Sequence, residues 1–197
     1  MLSLLIVLVL TWNFYIGYSR GIILQSFYVL GALLSLLVAN RFYIGLAHKL
    51  TLWIPYSNPV EGTSVFFFKS VDIFVLDKVY YAGLAFFIIF LLGYALSRFL
   101  GIFVHFLLLD YFDNQWTKCL SGGLALLVSL LFLNMLLSIF ATVPMPFLQH
   151  YLHSSFLARL VIEHLPPLTI IIQKLWIQAI ILYRFVTNIR TWSEFHL

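Results

Sequence analysis

Four long apolar runs, separated by short polar or proline-containing stretches, set the pattern of this chain. The first, "LSLLIVLVLTWNFYIGY", covers residues 2–18. At 1.5 Å per residue, a helix of that length barely crosses a hydrocarbon core of about 30 Å. No lysine or arginine precedes it and no small-residue cleavage pattern follows, so it reads as a retained span. A second run, residues 21–43, starts almost at once. Two spans so closely joined are expected to be antiparallel neighbours in a helical hairpin. Gly17 and Gly21 would make the reversal, and Arg20 would place its guanidinium among the headgroups.

Residues 48–78 break the pattern with Pro55, Pro59, Gly62 and several charges, and read as an extramembrane loop. Its "VFFFKSVDIFVL" portion is too short to span and suits the interface. The third span is expected over about 79–98, with its pattern continuing to about Leu109. A polar connector, "DYFDNQWTK", leads to the fourth, about 122–143, which Pro144 and Pro146 stop because proline lacks the N–H that continues a helix.

The periodicity changes after Pro146, dividing the chain into a transmembrane domain, 1–146, and an amphipathic tail, 147–197. "FLQHYLHSSFLARLVIEHL" mixes leucines with His150, His153, Arg159 and Glu163, as a helix lying along a membrane surface does. Beyond Pro166 and Pro167, Gln173, Lys174, Gln178, Arg184 and Asn188 share one helical arc of about 140°. Ile177, Ile181 and Phe185 blur it. Residues 168–190 are therefore either a second interfacial helix or a fifth span. The interfacial reading leads, because Lys174 and Arg184 are costly at depth.

Composition turns these runs into a location. Of 197 residues, 63% are hydrophobic and 9% charged, against about 25% charged in ordinary soluble domains. With a mean hydropathy of +1.04, too few charges remain to coat a soluble exterior. The expected class is an all-α integral membrane protein with about four transmembrane helices and C-terminal interfacial helices, or a fifth span. The net charge of +4 is scattered singly between apolar runs, which suits lipid headgroups and excludes a nucleic-acid surface. Cys119 is the sole cysteine, so there is no intrachain disulfide and no cysteine-based metal site.

Candidate chemistry is sparse. "GYSRG" fits the G-x-S-x-G pattern of serine hydrolases, but a nucleophile elbow needs a strand before the serine and a helix after it. Here apolar helices flank Ser19 on both sides, and His105, the one histidine near a span, lies beyond Arg98. His150 and His153 stand at helical i, i+3 spacing, yet Glu163 and His164 are strung too far along to converge on a metal. No catalytic residue, metal site or cofactor is assigned, and the chain reads as a non-enzyme. Asn13, Gln25, Asn40 and Asn134 carry amides into apolar helices. They are either interhelical glue of about 0.6–2 kcal/mol per bond or the lining of a wet path. Gly31, Gly83, Gly93, Gly122 and Gly123 are expected to allow close helix approach.

The order of these features resembles the colicin V production (CvpA) family of bacterial membrane proteins. Gly17, Arg20 and Gly21 carry it in "GYSRGIILQSFYVLGALLSLLVA", a short apolar segment, a glycine–arginine turn and a long apolar helix. Pro144, Ser155, Leu157, Ala158, Arg159, His164 and Pro166 follow in "VPMPFLQHYLHSSFLARLVIEHLPPL", in the manner of a Gram-positive branch. One departure is Leu126, where the family's small-residue pattern has a later glycine. It leaves the close packing of that helix open. The resemblance implies a multi-pass protein of the bacterial cytoplasmic membrane, acting without catalysis in toxin (bacteriocin) production or export. Its expected partners are the bilayer and other membrane proteins or further copies of itself. The alternative is a small oligomeric channel or carrier, with Asn13, Gln25 or Asn134 lining its path.

Overall fold

The computed structural model describes residues 1–56, 67, 76–105, 114–164 and 176. Within them the chain forms four long helices, α1 (Leu2–Arg20), α2 (Ile22–Trp53), α3 (Leu76–His105) and α4 (Gln115–Thr142), then two short ones, α5 (Pro146–Ser154) and α6 (Phe156–Glu163). All four long helices are apolar and long enough to cross a membrane. They present Leu33, Leu34, Leu37, Leu92, Leu96 and Phe103 outward, as an exterior in contact with lipid requires. The protein is an all-α, multi-pass membrane protein.

Three of the long helices exceed the bilayer. At 1.5 Å per residue α2 runs about 48 Å and α3 about 45 Å, against a core of about 30 Å. The sequence reading places a loop from residue 48 and a polar connector up to Lys118. Instead, α2 continues to Trp53, and α4 begins at Gln115. The early start follows from local chemistry. Asn114 and Thr117 form a reciprocal cap, each side chain bonding the other's end of the first turn, and this satisfies N–H groups that the helix leaves open.

The largest correction concerns partners. Only Gly21 joins α1 to α2, with φ 81° and ψ 161°, a conformation open to glycine. Beyond that turn the two helices make little contact: α1 packs along α4, and α2 along α3. Small residues decide both pairings. On α2 and α3, Gly31 lies against Ser97 and Gly93 against Ser35, the reciprocal order of an antiparallel pair. Ser35 and Ser97 donate to the carbonyls of Gly31 and Gly93 one turn back, so their hydroxyls are satisfied without separating the helices. On α1 and α4, Gly17 abuts Ser121, Gly122 and Ala125, and Gly122 in turn receives the ring of Phe14. The fourth helix thus packs closely despite Leu126. Gly123 does not contribute, since nothing lies within 4 Å of where its Cβ would be.

The end opposite the Gly21 turn is closed by hydrogen bonds. Tyr56 donates to the Thr142 carbonyl at 2.8 Å, and Gln149 to the carbonyls of Ala141 and Val143 at 2.9 Å each. Burial, with Asp77, Tyr80 and Tyr81 adding to it, pushes the Tyr56 phenol well above its ordinary range, so it stays a donor. Pro144 is buried between α4 and α5, and Pro146 starts α5 at a position where a missing N–H costs nothing. Ser155 caps α6 and its hydroxyl meets that of Ser3 at 2.8 Å.

The sequence reads α5 and α6 as surface helices. The structure turns the apolar face of α6, Ala158, Val161 and Ile162, onto Ile6, Leu133 and Leu137 of α1 and α4. Trp176 is buried as well, against Gly83 and Phe86 of α3. The rest of the segment 168–190, with its interfacial or fifth-span reading, lies outside the described residues, as does Pro166.

Candidate functional site

The polar residues of the spans go to three places. Asn134 of α4 donates its amide to the Val161 carbonyl of α6, so it ties two helices together. Ser121 of α4 donates to the carbonyls of Gly17, at 2.6 Å, in the last turn of α1, and of Gly21, at 3.0 Å, at the reversal. The Gly21 carbonyl also accepts from the Gln25 N–H, whereas that of Gly17 lies in the last turn of α1, where an open acceptor in lipid costs several kcal/mol. This hydroxyl therefore holds α1 to α4 beside the reversal. Sequence reasoning missed Ser121, although a serine one residue before a glycine pair was a usable signal. Asn40 is exposed, and Asn13 donates to Val9 of its own helix at 2.8 Å.

The remaining polar groups gather around a cavity of about 250 Å³ between α1, α3 and α4, closed on one side by the first turn of α2. Asn13 and Gln25 line it, with Ser129, Tyr94, Arg20 and Arg98. Two of the three candidate amides therefore meet there and Asn134 does not. The lining runs along α1 from Arg20 to Val9, about 16 Å or half the hydrocarbon thickness.

Arg98 lies inside α3, which runs past it to His105, in line with the apolar pattern that continues to about Leu109. Its neighbour Ser97 faces Gly31, about 15 Å along α2 from the Gly21 turn. The side chain bends toward that turn. Its guanidinium carbon lies 4.9 Å from the centre of the Tyr28 ring, and that of Arg20 lies 5.3 Å from the same centre. Arg98 also sits 5.9 Å from the Tyr94 ring. Cation–π attraction of about 0.5–2 kcal/mol per contact holds each cation. The two charges lie within roughly 10 Å and repel by about 2 kcal/mol at an effective dielectric of 20. Among the described residues neither arginine has a carboxylate partner, and the only described carboxylates, Asp77 and Glu163, do not line the cavity. Gln25 is 2% exposed and its Oε1 has no hydrogen-bond partner among the described residues.

The other sequence candidates stay apart from this site. Ser19 is exposed at the end of α1 and donates to the Ile16 carbonyl at 2.9 Å. A helix, a one-residue turn and a second helix surround it, not the strand and helix of a nucleophile elbow. We expect Ser19→Ala to leave the folded yield unchanged. We also expect no Ser19-dependent labelling by a fluorophosphonate probe, and labelling lost on that substitution would contradict this. Arg159 is half-buried with Nε unpartnered among the described residues. His164 is exposed and 3.8 Å from Glu163. Among the described residues no three of His, Cys, Asp and Glu converge as metal ligands would.

The chain is similar to known proteins over most of its length. A family model described as Colicin V production protein matches residues 2–166. An uncharacterized transmembrane protein, YshB, of Bacillus subtilis (strain 168) is 30% identical over 178 residues, 90% of this chain and 98% of that protein. No solved structure matches.

Proposed function

We propose, from the premise that the chain belongs to the colicin V production protein family, that it is a non-enzymatic accessory protein of the bacterial cytoplasmic membrane. It acts in the production or export of a colicin V type toxin by packing against other membrane proteins. One observation supports the accessory part. Three buried polar side chains tie neighbouring elements together, Ser121 at the Gly17 turn, Asn134 at α6 and Gln149 at the end of α4. Such a body is a rigid block with an apolar exterior, suited to being docked against. The toxin part is supported by the family's description alone. In a strain that secretes such a toxin, deleting the gene is expected to lower the exported amount severalfold, with the wild-type chain restoring it. Unchanged export would overturn the reading.

A second reading, a small oligomeric channel or carrier, is favoured by the cavity beneath Arg20 and Arg98. It requires flux across vesicles that Gln25→Leu abolishes while the protein still assembles.

A further inference from the structure

We propose that the cavity at Arg20 and Arg98 is a binding site for a phosphate group, held by both guanidinium groups and by the amide of Gln25. Two cations directed to one tyrosine ring, with no carboxylate partner among the described residues, form a site that an anion completes. Arginine presents a planar fork of N–H donors that matches phosphate oxygens two at a time. The Tyr28 ring orients both forks, so little side-chain freedom is lost on binding. Gln25 adds a requirement of its own. Its buried Oε1 is an acceptor with no donor, so the ligand that suits it carries a hydroxyl beside the phosphate or a protonated phosphate oxygen. The space is adequate: 250 Å³ equals the volume of about eight waters.

Two sources supply this chemistry. One is the diester headgroup of an anionic glycerophospholipid, whose glycerol hydroxyl would reach Gln25 while an acyl chain lies against Ile16, Phe132 and Leu133. The other is inorganic phosphate entering from the aqueous side.

The full-length protein, purified in mild detergent, is the sample that tests this. Thermal unfolding is followed with added phosphatidylglycerol, phosphatidylcholine or inorganic phosphate. Displacement of a fluorescent phosphatidylglycerol is measured in parallel. A rise in unfolding temperature with phosphatidylglycerol and not phosphatidylcholine supports a lipid headgroup. A rise with inorganic phosphate, which also displaces the probe, supports the same site filled from solution. In either case Arg98→Gln and Arg20→Gln are each expected to weaken binding about fivefold, the scale of one basic residue at a lipid phosphate. Arg98→Lys keeps the charge and should retain part of the affinity. Should the glutamine variants not fold, the wild-type displacement titration still decides. No saturable displacement by unlabelled phosphatidylglycerol or by phosphate, or affinities unmoved in folded variants, overturns the proposal.

Discussion

Gly17→Leu is expected to prevent the bundle from assembling. Even a Cβ at this position would meet the Ser121 carbonyl oxygen at 3.0 Å and the Gly122 Cα at 3.2 Å, with the Ala125 side chain closer still. Two of these atoms are backbone and cannot rotate away. Helix α1 must therefore move off α4, and the 2.6 Å bond from Ser121 to the Gly17 carbonyl breaks with it. Overpacking of this kind costs about 3 kcal/mol, and the lost bond leaves a carbonyl open in lipid. The unfolding temperature in detergent should fall by roughly 10 °C, or folded protein should not be recovered at all. Gly123→Leu is the control, because its Cβ would enter open space. Equal behaviour of the two variants would refute the packing described for α1 and α4.

The second large effect is at Asn134, where leucine replaces the amide with an apolar side chain of the same branching and heavy-atom number. The change removes the donor that reaches the Val161 carbonyl near the end of α6, where a helix already leaves carbonyls without intrahelical partners. Losing that bond costs about 1–3 kcal/mol, and α6 is short, with Ala158, Val161 and Ile162 buried and Leu157 partly buried to hold it. The expected outcome is local undocking of α6 while the long helices stay together. Ile162, 1% exposed, reports it once replaced by cysteine in a Cys119→Ser background. Its labelling by a maleimide should speed up about tenfold in Asn134→Leu, the equivalent of 1.4 kcal/mol of local opening. No change in rate would show that α6 is held some other way.

The spans were legible because lipid leaves the chain little choice. An apolar run long enough to cross must be helical to satisfy its own backbone, and proline or a charged stretch marks its ends. Helix partners were not legible for the same reason. A span that is apolar on every side carries no periodicity to say which face turns inward. The information sits instead in single small residues, Gly17 opposite Ser121 and Gly31 opposite Ser97, whose pairing needs three dimensions. Closeness in sequence misled at Gly21, where one residue turns the chain without holding α1 to α2. The amides Asn13 and Gln25 were visible as polar positions in apolar helices. Their meeting with Arg98 was not, because it depends on how α1, α3 and the first turn of α2 come together, which no single run of sequence records.

The measurement that bears most directly on the accessory role is copurification from the native membrane. Tagged protein is crosslinked lightly, extracted gently, and its companions are identified and counted against it. The account predicts a foreign membrane protein in stoichiometric amount, lost when Gly17→Leu disrupts the bundle and retained with Ser19→Ala. Recovery of this chain alone, as a defined homo-oligomer that carries an Arg98-dependent anion flux in reconstituted vesicles, would contradict it.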